Sequence, residues 1–117
     1  ILEKGLENSK QSRGDWQKEI RRIYSTSADE CIALQNKVGL YAADDSAVVA
    51  AKKEQIKMVL AGCPGFDYMK NLLDQIELDF NAFINMYGKE KIADAVLYGK
   101  DLKDRYTVLW LYYQFCK

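Results

Sequence analysis

The sequence predicts an all-α fold, an antiparallel up-down helical bundle of four main helices plus a short connecting helix. Two apolar stripes carry that prediction. Trp16, Ile20, Ile23, Ser27, Cys31, Leu34, Val38 and Tyr41 follow one another at steps of three and four, and Met69, Leu72, Ile76, Phe80, Phe83 and Tyr87 repeat the pattern. Such spacing puts each set on one face of a helix, and those faces must be buried against one another. The punctuation agrees: there is one proline, Pro64, and Gly62, Gly88 and Gly99 close periodic segments.

The elements follow in order. Residues 1–14 are polar, with Gly5 and Gly14 as breakers, and read as a flexible N-terminal segment ahead of a single helical domain at 15–117. Asp15 caps a long helix to about Ala42. Ser25-Thr26-Ser27 and the acidic Asp29-Glu30 resemble a fresh helix start, but the apolar phase continues through them and predicts one kinked helix. Asp44-Asp45-Ser46 forms a turn and cap for a second helix over 47–61, which Gly62 closes and Pro64 forbids from continuing. The second stripe predicts an unbroken third helix over 66–87 ending at Gly88, with Met58, Met69 and Met86 filling gaps in the core. A short helix over 90–98 ends at Gly99, and Asp101 caps a last helix over 101–117.

Composition sets further bounds. With 117 residues, the chain is long enough for one domain with its own core. Lysine plus arginine equals aspartate plus glutamate at 17 each, so no overall field draws in nucleic acid or an anionic membrane. The longest apolar run, 108–113, falls far short of the ~20 residues a membrane span needs. N-x-S/T does not occur, so there is no N-glycosylation acceptor. The first residue is Ile1, which reads as the trace of a removed leader, tag or other segment.

Cys31, Cys63 and Cys116 make an odd count, so at most one intramolecular disulfide forms. In an up-down bundle the turn bearing Cys63 and the end of the last helix fall together, making Cys63–Cys116 the candidate link. That link implies a periplasmic or secreted protein. The alternative is three small buried hydrophobes in a reducing cytoplasm.

Histidine is absent. This removes Ser-His-Asp and Cys-His nucleophile arrangements, histidine-bearing zinc and di-iron sites, and histidine-ligated haem. No catalytic residue, metal ligand or cofactor site is predicted. Asp74, Glu77 and Asp79 form an acidic face that points to water and suits a basic partner surface, whereas an acid/base or cation role needs it buried beside a cleft. Lys10, Arg13, Lys18, Arg21 and Arg22 surround Trp16 in a way that suits phosphate contacts. Trp16 belongs to the core stripe and Asp15 and Glu19 offset the charge, so no nucleic-acid partner is predicted. Arg13-Gly14-Asp15 spells an integrin-recognition tripeptide, but Asp15 already serves as a helix cap. The glycines form no nucleotide-binding fingerprint.

The stretch 106–116 is aromatic or aliphatic all round. Such a helix is central in its bundle or covers another surface. Full burial of Trp110, Tyr112, Tyr113 and Phe115 together is difficult in a small domain, which leaves aromatic surface for a partner. The functional expectation is a non-enzymatic protein-protein interaction module of the immunity, inhibitor or adaptor type. Tyr106, Trp110 and Tyr113 with Asp74, Glu77 and Asp79 form its binding surface, and self-association through the same faces is a further expectation. The alternative is a carrier holding a lipid or other apolar ligand among Phe80, Phe83, Trp110 and Phe115.

Overall fold

The computed structural model describes residues 15–115, and within them every regular element is helical. The predicted all-α class is therefore observed. The four long helices are not: the same residues form eight shorter ones, α1 (Trp16–Tyr24), α2 (Ala28–Val38), α3 (Ser46–Ala51), α4 (Lys53–Ala61), α5 (Phe66–Gln75), α6 (Phe80–Tyr87), α7 (Lys89–Tyr98) and α8 (Val108–Phe115). Short 3-10 turns at Ser25–Ser27 and Gly99–Leu102 complete the path. The expected flexible segment at 1–14 lies outside the described residues.

The first predicted helix breaks where its propensity is weakest. The Asp15 carboxylate accepts from the Gln17 and Lys18 amides at 3.1 and 3.3 Å and starts α1. At Ser25 the backbone turns to φ 47°, a left-handed value that the flanking 3-10 turn holds in place. This bend folds the stripe onto itself. Instead of one straight face, α1 and α2 pack side by side, with Ile20, Ala28, Cys31 and Ile32 in one core cluster. Helix α2 ends early, at Gly39, whose φ of 77° supplies a left-handed cap.

The third predicted helix breaks for a different reason. Glu77 takes φ 56°, and the amides of Glu77 and Leu78 donate back to the Asp74 and Leu73 carbonyls at 3.1 and 3.0 Å. That is a Schellman closure with a glutamate where glycine is usual. Asp79 then accepts from the Asn81 and Ala82 amides at 2.9 and 3.1 Å and starts α6. Apolar periodicity is blind to both caps. Because a left-handed non-glycine residue costs about 1–2 kcal/mol and the added unfolded-state entropy takes back about 0.4–1 kcal/mol, Glu77→Gly is expected to raise the unfolding free energy by about 0.5–1 kcal/mol. Urea unfolding of the pair checks this, and an unchanged or lower midpoint refutes it.

Gly88 reverses the chain between α6 and α7 with φ 80° and ψ 149°, a conformation open essentially to glycine. The last helix begins at Val108, not at Asp101. Asp101 is turned inward within the second 3-10 turn, and the Thr107 carbonyl accepts the first α8 bonds, from Trp110 and Leu111.

Helix α8 is the centre of the molecule. Trp110 and Tyr113 lie in the cluster built on α1, α2 and α7, whereas Leu111 and Phe115 pack with Val49 and Ile56 in a second cluster. An α8 apolar on most sides is thus explained by burial on two sides. A bidentate ion pair from Arg22 to Asp94, at 2.9 and 2.6 Å, ties α1 to α7.

Cys31 is buried and Cys63 exposed, and both carry free thiols. Cys116, the expected partner of Cys63, lies outside the described residues. No helix among the described residues is long and apolar enough to cross a membrane.

Candidate functional site

Two features stand out from an ordinary helical core: a buried ion pair and an uncovered apolar arm.

The ion pair follows Gly99. Lys100 Nζ donates to Asp101 Oδ2 at 2.6 Å and to the Tyr41 hydroxyl at 2.7 Å, and Tyr41 donates in turn to Asp101 Oδ1 at 2.9 Å. Both charged side chains are wholly enclosed. The ammonium sits 3.9 Å from the ring centre of Tyr113, 4.4 Å from that of Trp110, 4.8 Å from that of Tyr41 and 5.2 Å from that of Tyr98. These faces stabilise a desolvated cation. Gln35 Nε2 donates to the backbone carbonyls of Asp101 and Lys103 at 2.9 and 2.8 Å, holding the turn against α2. The Trp16 ring stacks on Tyr41 at 3.9 Å between ring centres.

Burial pushes the Asp101 carboxyl above its ordinary value, opposed by the Lys100 ammonium and the Tyr41 hydroxyl. Burial likewise pushes the Tyr41 phenol far up, with Asp101 adding to it. Tyr24, whose hydroxyl donates to the Tyr98 carbonyl at 2.9 Å, is pushed up to about 12, mainly by burial. The network joins α2 and the turn after it to the 3-10 turn after α7 and to the aromatic face of α8.

The arm runs from α4 through α6. No residue of these three helices is buried, and α5 belongs to none of the closely packed helix pairs. Phe66 is 78% exposed, Met58 73% and Met86 75%. Val59, Tyr68, Met69, Leu72, Ile76, Phe80, Phe83 and Tyr87 are also open to solvent. The radius of gyration, 16.1 Å, exceeds the about 13 Å of a compact 100-residue domain.

The expected site residues fall in different places. Trp110 and Tyr113 have no exposed surface and serve the core. Tyr106 is 39% exposed, donates to Gln114 Oε1 at 2.9 Å and is pushed up to about 12 by burial. Asp74, Glu77 and Asp79 are exposed on the arm, Asp74 pairing with Lys70 at 2.7 Å and Asp79 capping α6. The proposed aromatic set therefore divides, and the acidic set stays together. Met58, Met69 and Met86 are surface residues, not core fillers. Phe80 and Phe83 are exposed on α6 while Trp110 and Phe115 lie in separate core clusters, so these four rings do not enclose one ligand cavity. Within the basic set, Arg22 is engaged by Glu19 and Asp94 and Arg21 by Asp29. Lys10 and Arg13 lie outside the described residues.

The residues that sequence reasoning assigned to a buried face and the structure exposes are Met69, Leu72, Ile76, Phe80, Phe83 and Tyr87, and Phe66 and Tyr68, also exposed, it did not single out. The available signal was Asp79, a residue type suited to starting a helix in the middle of the stripe, which begins α6 and divides the stripe in two. No family model matches the chain, and no curated protein or solved structure matches it.

Proposed function

We propose that this chain is a non-enzymatic protein-binding module whose binding surface is the arm formed by α4, α5 and α6. One observation supports the reading: a continuous run of helices whose large apolar side chains, Phe66, Met69, Leu72, Phe80 and Phe83 among them, face solvent. Soluble monomers rarely leave such a patch uncovered, and one bordered by charge marks a docking surface. The border is acidic, with Asp67, Asp74, Glu77 and Asp79 on or beside α5 and α6. In this reading Trp110 and Tyr113 hold the scaffold and touch no partner.

A photo-reactive side chain placed at Tyr68, exposed on α5, tests this in the source cells. A discrete protein adduct is expected from that position and none from Asn36, which is exposed on α2. No adduct from Tyr68, or equal labelling from both positions, refutes the proposal.

A further inference from the structure

Helices α3 and α4 pack closely on each other, and neither forms a closely packed pair with α8. They meet α8 through the second core cluster, where Val49 and Ile56 pack with Leu111 and Phe115. That cluster is open on one side. A slot of about 350 Å³ runs between α4 and the start of α8, bounded by Val49, Ile56, Val59, Leu60, Val108 and Leu111. Val49 and Leu111 are buried and form its floor, whereas Val59 and Val108 are mostly exposed and form its lip. The volume falls within the range of about 300–1,000 Å³ that small-molecule sites occupy.

The slot has a polar edge of one sign. Lys52, Gln55 and Val59 recur at steps of three and four, which sets the Lys52 ammonium and the Gln55 amide on the apolar side of α4. Lys52 is the only charged residue along the slot. Its ammonium has no ion-pair or hydrogen-bond partner among the described residues, whereas Lys57 is paired with Glu54. On the facing wall the Tyr106 hydroxyl is taken by Gln114. An unmatched cation thus borders an unfilled apolar space.

We propose that the slot binds a small apolar monocarboxylate, with its hydrocarbon body against Ile56 and Leu111 and its carboxylate beside Lys52 and Gln55. The walls select for hydrocarbon, since they offer almost no polar group to a ligand. The edge selects for one negative charge: a cationic head meets Lys52 with like charge, and a polyanion finds a single cation to neutralise it. Such a ligand completes the second core cluster and fixes α3 and α4 against α8, so it binds the folded chain and stabilises it. The slot lies on the core side of α4, and this inference stands or falls apart from the arm's role as a protein-binding surface.

Isothermal titration calorimetry of the full chain with octanoate and 1-octanol tests it. The two probes share a hydrocarbon tail and differ in head-group charge. The wild type is expected to bind octanoate at one site and 1-octanol more weakly. Lys52→Gln should weaken octanoate roughly tenfold and leave 1-octanol unchanged. Val59→Trp, which fills the lip, should weaken both probes roughly tenfold, while Phe66→Ser, on the exposed arm, should change neither. Circular dichroism confirms that the variants are folded, and should Val59→Trp unfold, Val108→Trp replaces it. No saturable binding of octanoate up to about 1 mM overturns the site. Equal binding of the two probes, unaltered by Lys52→Gln, overturns the carboxylate as its ligand class. Loss of binding in Phe66→Ser overturns the slot by placing the probe on the arm.

Discussion

Lys100→Met alone is expected to lower the unfolding free energy by about 3–5 kcal/mol. Methionine fills much of the aromatic cage, so lost packing is the lesser part of the effect. The larger part is the Asp101 carboxylate, which stays fully enclosed and keeps, among the described residues, the Tyr41 hydroxyl as its side-chain donor. Asp101→Leu alone is expected to cost about as much, by stranding the ammonium among rings. The double variant Lys100→Met/Asp101→Leu should recover most of the loss, because an apolar pair of similar volume carries no desolvation cost. The Gln35 bonds to the turn survive in it, since they go to backbone carbonyls. Urea unfolding of the three variants decides the matter. If the double variant is as unstable as the sum of the singles, the two side chains are not coupled and the account fails.

Trp110→Ala is expected to cost about 3–5 kcal/mol. Its indole has no exposed surface and meets Tyr41 edge-on at 4.8 Å and Tyr113 at 5.9 Å between ring centres. Truncation opens a cavity beside a buried charge and removes one wall of the cage. Small domains hold only about 5–15 kcal/mol in total, so this one substitution takes the chain close to unfolding. Trp110→Phe should lose much less, because the indole Nε1 finds no hydrogen-bond partner among the described residues and a phenyl ring still faces Lys100. Thermal unfolding followed by circular dichroism checks both, and an alanine variant as stable as the wild type refutes the core assignment. Loss of partner capture by Trp110→Ala would accordingly report on folding, not on an interface, whereas Leu72 or Phe66 variants probe the surface.

The all-helical class was legible because steps of three and four are a direct property of helical geometry. So was the start of α1 at Asp15, and so were the ends at Gly62, Gly88 and Gly99. Helix continuity was not legible. A stripe that keeps its phase through Ser25 suits one long helix or two helices folded face to face equally well, and the choice depends on which partner the face finds. At Glu77 the chain adopts a glycine-like conformation without glycine, so the usual mark of a helix end was missing. Asp101 was read as a helix cap and Lys100 was not singled out, because nothing in the local pattern of two charged residues after a glycine marks an inward-facing pair. The one hint was the wealth of tyrosine and tryptophan, which can enclose a cation as readily as they can pack together. The acidic half of the candidate surface was read correctly as solvent-facing, while its apolar half looked like core because the same side chains serve either purpose.

The isolation of α5 has a dynamic consequence. A helix of ten residues with no buried side chain has little beyond its own hydrogen bonds to hold it, and isolated helices of that length are marginal in water. The amides of α5 in a lone protomer should therefore exchange with solvent through local fraying, while those of α2 and α8 exchange only when the whole core opens. The chain thus holds two tiers of stability, a pinned scaffold and a pliant segment, and any partner that covers the arm becomes visible as slowed exchange in α5 before it alters anything else.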